Sequence, residues 1–507
     1  MYKAGLAKLS LIGIIYFSVV SDFPERRPDS GVAFSDKSQS QAGGPEGTEL
    51  MILSGGPLLS IAGIVVFTVV FALPISFMTM ELSAMYPSNG GFVIWITEAY
   101  GKTMGGAAGY IQFISSVVDA ALYPNLMVSY VSALVDRPLE DFESTVVSVL
   151  LIVFVTVITL TGISSVGHGS VAMMLLIFAP FSIFIIITGT GVFTGVSIAG
   201  WNVSPANWVE KVPQVEWHQF VVTLAWNMGM WDTVSVCSGE LQDVPREMPV
   251  ALVSAVFLVS LNYILPIMAF TALDNRFENY TNGYYITVAE NVGGIWAARL
   301  LGAAQCFSVS GLFIGVAMKN AWMLSGMAES GLLPSCFGWK DRRFGSPSVA
   351  ILCTQAISVV LAVTGNFEAV IGCDMVLYAV CLMLEITSLF YLRLKAPDAN
   401  RPYKIPLEEG GLIAMFIPSC IICGAMFASV AWVNIGVCAA IVGGSLVFSY
   451  SCGHTTSVEC RDDATVSDPL FTDPDDLEME LMDFLPKKSA TSDTEHVETP
   501  PCAQGAS

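Results

Sequence analysis

Charge is what this sequence has least of. Asp, Glu, Lys and Arg make up 13% of its 507 residues, about half the ~25% usual in soluble domains, which excludes an ordinary soluble globular protein. Basic residues are scarcer still, 22 against 43 acidic ones, and no basic patch accompanies a nucleic-acid-binding pattern, so nucleic acid is not an expected partner. The four histidines do not cluster, and Cys420 and Cys423 form a lone CxxC without a second pair, a pattern too sparse for a metal or redox centre. No nucleophile–base pair or metal-ligand set stands out, so neither enzymatic chemistry nor a cofactor is expected. Alternating strands of about ten residues are missing too, which excludes an outer-membrane barrel.

What the sequence does have is apolar length. Hydrophobic residues make up 54% of the chain and the mean hydropathy is +0.64. A bilayer core of about 30 Å needs roughly 20 apolar residues per helix, and runs of that length recur. About twelve spans are expected, all helical. The first begins near Ala4 and is interrupted. The next four cover 56–85, 104–134, 145–163 and 170–196, followed by 219–239, 249–273 and 294–327. The last four cover 347–364, 367–392, 411–430 and 432–450. The apolar start, Leu6 to Val20, lacks a small-residue cleavage site and reads as a retained signal-anchor. The 12 cysteines lie mostly within apolar stretches, where a free thiol packs as a small hydrophobe.

Loop charges orient these spans. Lys102, Arg246, Lys340, Arg342, Arg343, Arg393, Lys395, Arg401 and Lys404 fall in loops of one parity. The positive-inside rule makes that side cytosolic and places both termini there. The opposite loops carry two N-x-S/T sequons, at Asn202 and Asn279, as glycosylation candidates; Pro205 makes Asn202 the poorer acceptor. About half of the acidic excess falls from Ser451 onward, so the net charge of −21 largely describes a tail. Domain boundaries are therefore read as a membrane domain over 1–450 and an acidic, disordered cytosolic tail over 451–507. Within the tail, Asp475 to Pro486 mixes Leu, Met and Phe with acids, either as solvated chain or as a short sorting or partner-binding motif.

Two apolar segments are broken at related places. Gly43-Gly44-Pro45-Glu46-Gly47 interrupts the first, and Trp226-Asn227-Met228-Gly229-Met230-Trp231-Asp232 the sixth. Backbone freed from the helix ladder at membrane depth needs a protein or water-lined cavity. A pair of interrupted helices in matching positions of two halves points to a transporter's binding site.

Acids inside the spans supply the chemistry. Asp119 lies in the third, Asp232 and Glu240 in the sixth, and Asp374 and Glu385 in the tenth. A carboxylate at the bilayer centre costs on the order of 3 kcal/mol on insertion scales, so each needs a partner or a task. A carboxylate can hold a primary ammonium through a charge-assisted hydrogen bond or carry a coupling proton. Several of them with few intramembrane cations suit a substrate bearing more than one ammonium. Lys319 in the eighth span is the exception; it either pairs internally or replaces a coupling ion. Trp226, Trp231 and Tyr123 sit beside the acids, as packing residues or as a lining for methylene groups and ammonium ions. Asn227 and Tyr123 can bond ammonium groups. Glu240 belongs near the cytosolic end.

At these residues the chain resembles the amino acid–polyamine–organocation superfamily, and within it the polyamine uptake transporters of plants and protists, from about Ala4 to Tyr450. The matching stretches are GGPEGTE, GGPLL, ELSAMYPSNGGFVIW, VVDAALYPNL, WNMGMWDTVSVCSGELQDVPREMP, GMAESGLLP and LRLKAPDANRPYKIP. The last two mark the superfamily, whereas DAALYP together with WN-x-x-x-WD is much more specific to the polyamine branch. The resemblance implies two inverted five-helix repeats plus two C-terminal helices, with the first and sixth helices unwound around the site (a LeuT-like fold). It also implies alternating access coupled to a proton or sodium gradient. The substrate-site residues it carries over are Gly43, Gly44 and Gly47, Asp119 and Tyr123, and Asn227, Trp231 and Asp232. Glu385 matches a glutamate of the tenth span, and Asp374 stands where relatives often carry Glu.

One departure concerns Val20 to Gln41, a polar segment that splits the first helix where relatives read straight into Gly-Gly-Pro. It is either a real insertion or a retained intron; removing it restores SV-AGGPEGTE in frame. The expected function is cation-coupled symport of polyamines such as putrescine and spermidine across, by default, the plasma membrane. An amino acid carrier of the same fold is the alternative, and a membrane nutrient sensor a more distant one.

Overall fold

A computed structural model describes residues 44–88, 90–161, 179–192, 203–210, 212–241, 243–364, 367–428 and 432–459. The Val20 to Gln41 segment, Gly43, Asn202 and the chain beyond Glu459 lie outside the described residues, as does the side chain of Glu240. Two compact units divide the chain, Met1–His454 and Thr455–Ser507.

The described chain is helical. Helix α1 covers Thr48–Phe67 but is two pieces, because Gly56 has φ 76° and ψ 169°. Gly56 can take that conformation without a Cβ penalty, and Pro57 starts the second piece, where its missing N–H costs nothing. A π-turn over Thr68–Ala72 leads into α2, Leu73–Met85. There Thr68 pairs with the Ser260 hydroxyl at 2.7 Å and the Ser419 hydroxyl donates to the Val70 carbonyl at 3.0 Å, satisfying groups that would otherwise face lipid.

A short helix α3 (Phe92–Tyr100) precedes α4 (Lys102–Ala120) and α5 (Leu122–Leu134), which meet at Ala121. Helix α6 is Asp141–Leu160 and α7 is Ala179–Val192. The sixth apolar segment divides as expected: α8 (Trp217–Met228) stops at extended Gly229, Met230 turns left-handed at φ 62°, and a 3-10 helix runs from Trp231 to Glu240. Helix α9 is Val244–Leu273. Helix α10, Tyr284–Glu329, breaks at Gly294 (φ 72°). Helices α11 (Ser348–Thr364), α12 (Phe367–Lys395), α13 (Glu409–Ala428) and α14 (Trp432–Glu459) complete the set.

Among the described residues, seven helices are long and apolar enough to cross a membrane, and three shorter apolar helices accompany them. Their outer faces are apolar: on α6, Val146, Leu150, Val153 and Val157 are all exposed, at the spacing of one helical stripe. Such an apolar surface suits lipid and not water. The interior is largely apolar as well, but within it lie buried Glu46, Glu49, Glu81, Asp119, Asp232, Asp374 and Glu385. Helix α8 packs on α1, α12 on α4, and α10 on α5 and α11, which brings both broken segments and the acidic helices together. The chain is an all-α, multi-pass membrane protein.

One end of this bundle is tied by charge. Buried Glu81, near the end of α2, accepts hydrogen bonds from Arg393 Nε (2.9 Å) and Nη2 (2.5 Å) and from the Ile405 N–H (2.9 Å). Arg401 Nε stands 3.6 Å away. The ELSAMYP and LRLKAPDANRPYKIP stretches, far apart in sequence, therefore meet at one buried carboxylate. Just past the C-terminus of α9, Asp274 pairs with Arg276 at 2.5 Å. Burial would raise the Asp274 carboxyl, but the Arg276 guanidinium and the Arg276 N–H outweigh it and hold the group below its usual range.

Candidate substrate site

The site is built where the two broken segments meet. Pro45, with Gly44 and Gly47 on either side, keeps residues 44–47 out of the helical ladder. Gly47 starts α1 in the left-handed region at φ 75°, and an added Cβ would lie 2.9 Å from the Trp226 ring and 3.1 Å from Asn227 Nδ2. Glycine at 47 thus serves both backbone conformation and contact with α8. The Gly44 N–H donates to Ser308 Oγ at 2.5 Å, and Ser308 in turn adjoins Glu46. Glu46 is 2% exposed.

Glu49 is fully buried and does structural work. Its carboxylate accepts the Gly283 N–H (3.1 and 3.2 Å to the two oxygens) and the Tyr285 N–H at 3.0 Å. The nearby Thr48 and Tyr285 hydroxyls pair at 3.0 Å.

Asp119 and Tyr123 straddle the α4–α5 junction, four residues apart and so on one face. Trp226 Nε1 donates to Asp119 Oδ1 at 2.9 Å. The Tyr123 ring stacks on Phe313 at 5.8 Å and tilts against Trp226 at 6.2 Å, and its hydroxyl adjoins Asp119. On the sixth segment, the Tyr378 hydroxyl accepts the Met230 N–H at 2.9 Å and donates to Asp232 Oδ1 at 2.6 Å. One tyrosine thereby ties off the freed backbone and orients the acid beside it.

Helix α12 presents a polar stripe. Asp374, Tyr378, Cys381 and Glu385 are all buried and recur at the four-, three- and four-residue intervals of a single helix face. The Ser115 hydroxyl donates to Asp374 Oδ1 at 2.5 Å. Asp374 lies within the field of Asp119, and Glu385 within that of Asp232. Asp374 and Glu385 stand about 16 Å apart along the axis, too far for one ammonium and suited to two. Oδ2 of Asp119, Asp232 and Asp374 and both oxygens of Glu385 are buried without a hydrogen bond.

The structure thus brings Gly44, Gly47, Asp119, Tyr123, Asp232, Asp374 and Glu385 around one region. Asn227 and Trp231 differ in what they touch. The Asn227 amide donates to the Thr223 carbonyl at 2.9 Å, one turn back on its own helix, and the Trp231 indole donates to the Met228 carbonyl at 2.8 Å; both shape the break in the sixth segment. Sequence reasoning passed over Glu46, Glu49, Ser115, Ser308 and Tyr378. The two glutamates carried the same signal as the other acids, within GGPEGTE. Tyr378 was marked by its helical spacing from Asp374 and Glu385. Asn279 is exposed, in the segment between α9 and α10. No group of three or more potential metal ligands occurs among the described residues.

Comparison with known proteins agrees with this architecture. A sequence profile of the amino acid permease family matches residues 38–453, which leaves the start of the chain and most of the Val20 to Gln41 segment outside the match. A probable polyamine transporter of Arabidopsis thaliana is 34% identical over 389 residues, covering 76% of this chain and 76% of the relative. The polyamine transporter RMV1 of Arabidopsis thaliana is 32% identical over 393 residues, covering 76% and 77%. The cystine/glutamate transporter of Homo sapiens is more distant, 21% identical over 393 residues, covering 75% and 73%. Apolar helices packed around two broken segments, together with a family match across nearly the whole membrane body, lead to one conclusion: the chain is a membrane transporter, not an enzyme, and belongs to the amino acid permease family.

Proposed function

We propose that the chain carries polyamines such as putrescine and spermidine, coupled to a proton or sodium gradient. The observation that supports this most is the set of four buried carboxylates, Asp119 near Asp374 and Asp232 near Glu385, each retaining an oxygen without a donor. Two negative subsites separated along α12 match a chain of spermidine's length with an ammonium at each end, while the shorter putrescine engages one subsite at a time; the aromatic wall of Tyr123, Trp226 and Phe313 suits the methylenes. Trp231 and Asn227 hold the sixth segment open beside them, and Glu385 or Asp374 binds the distal ammonium or takes the coupling proton. The polyamine transporters among the relatives support the same substrate class.

An amino acid substrate would set its carboxylate on the free N–H groups of the first broken segment. Here the Gly44 N–H is taken by Ser308 and the Glu46 carboxylate lies beside it, which opposes a second anion at that place.

In the same reading the Arg- and Lys-rich loops and both termini face the cytosol, the membrane is the plasma membrane, and Asn279, with Asn202 as the poorer acceptor, carries glycan on the outside. Residues 451–507 form a cytosolic tail, and Val20 to Gln41 is a retained intron whose removal joins the first helix to its glycine motif. Uptake of labelled spermidine by cells expressing forms with and without Val20 to Gln41, at varied pH and sodium, tests the reading. Competition by arginine, leucine and choline separates the substrate classes. Asp232→Asn is expected to abolish saturable spermidine uptake with surface expression intact; unchanged uptake removes Asp232 from the site.

A further inference from the structure

We propose that Lys319 is a tethered ammonium that occupies the acidic site in the empty carrier and is displaced by the substrate's own ammonium. This rests on the polyamine reading and deepens it. Lys319 lies on α10, beside Asn320, whose amide donates to the Ser116 carbonyl of α4 at 3.0 Å. The Lys319 ammonium reaches the broken sixth segment, with Nζ 3.9 Å from Met230 Sδ. It lies within electrostatic reach of Asp119 of α4, Asp232 of the 3-10 segment and Asp374 of α12. Among the described residues it makes no ion pair within 4.0 Å with any of them. The ammonium is therefore shared among acids from three elements and locked to none.

Each of those acids has one oxygen held by a neighbour and the other, Oδ2, without a donor. Those second oxygens are the atoms an incoming ammonium would take. A carrier that returns empty must bury the same acids with no substrate present, and uncompensated carboxylates at membrane depth are costly. A lysine on a flexible four-carbon stem supplies that compensation and can withdraw when a mobile cation arrives. A bound polycation then competes with Lys319 for the same acids, so the lysine weakens substrate affinity while allowing the unloaded protein to close.

The test uses the full-length chain, purified and reconstituted into liposomes, with labelled spermidine as probe. Two modes are measured: net uptake into empty vesicles, which needs return of the unloaded carrier, and exchange into spermidine-loaded vesicles, which does not. In Lys319→Met, KM for exchange is expected to fall about tenfold, the equivalent of roughly 1.4 kcal/mol of removed competition, and exchange to persist while net uptake slows severalfold relative to it. Lys319→Arg is expected to keep the wild-type ratio of the two modes. Spermidine binding to detergent-purified Lys319→Gln, expected to tighten, reads the same competition without reconstitution. An unchanged KM and an unchanged ratio in Lys319→Met overturn the inference, as does equal loss of both modes, because a tethered counter-ion is dispensable for exchange. A wild-type chain that takes up no spermidine overturns the functional reading and this inference together; normal wild-type uptake with an unaltered Lys319→Met overturns the inference alone.

Discussion

Replacing Glu81 with leucine strands a buried guanidinium, and the structure indicates how much that costs. The Glu81 side chain is fully buried and that of Arg393 is 8% exposed, so the stranded guanidinium gains little from water. Arg393 keeps two longer bonds, to the Leu407 carbonyl at 3.3 Å and the Ile405 carbonyl at 3.4 Å. Arg401 is better served, with four backbone carbonyls between 2.9 and 3.3 Å, so losing Glu81 touches it little. Breaking one partner of a buried pair costs about 3–5 kcal/mol, and those residual carbonyls place Arg393 at the lower end. The Ile405 N–H also loses its acceptor, adding about 1 kcal/mol. A total of roughly 4 kcal/mol should lower the melting midpoint of the detergent-purified protein by at least ~5 °C. Adding Arg393→Met to Glu81→Leu should restore about half of the loss, because an apolar replacement removes the stranded charge. A single mutant melting within about 1 °C of wild type would refute the reasoning, since an uncompensated buried cation should not be silent.

Other substitutions probe the site. Gly47→Ala forces a Cβ into the left-handed region, at about 1–2 kcal/mol, and against the Trp226 ring 2.9 Å away. Spermidine uptake should fall at least tenfold at normal surface expression, and uptake within twofold of wild type would argue against this packing. Tyr378→Phe removes both the donor to Asp232 and the acceptor for the Met230 N–H. It should raise KM for spermidine severalfold in uptake kinetics, whereas Tyr110→Phe, nine residues before Asp119 on α4 and with its hydroxyl donating to the Leu332 carbonyl, should change it little. Asn279→Gln should abolish an endoglycosidase-sensitive mobility shift on gels of cell-expressed protein while uptake continues.

Legibility in the sequence followed the physics of each feature. The spans could be read because a bilayer demands contiguous apolar length, and that demand is local. The break after Met228 could be read because Gly229 interrupts an apolar run, and Asp119, Asp232, Asp374 and Glu385 because an acid in such a run is conspicuous. Partners were harder. Trp226 and Trp231 look alike along the chain, yet one indole crosses to Asp119 on another helix and the other closes back on Met228; only tertiary register separates them. Glu46 and Glu49 stood in plain view within GGPEGTE, but the polar segment before them obscured that this stretch is buried. The meeting of Glu81 with Arg393 joins residues on α2 and α12, a pairing with no local signature.

Glu49 has a consequence for how such a protein could move. The piece of α1 between Gly47 and Gly56 makes only about two turns, too short to hold its shape alone. Its carboxylate clasps the N–H groups of Gly283 and Tyr285 at the left-handed start of α10. With flexible glycines at both of its ends and an anchor in its first turn, this short rod is hinged twice and pinned once. Any opening that tilts it must either drag the start of α10 along or break the hydrogen bonds to two buried backbone groups. The pin therefore divides the molecule's motions into those that carry both pieces as one body and those that pay to part them, and probes placed on Leu50 and Thr287 should keep a constant separation in the first kind only.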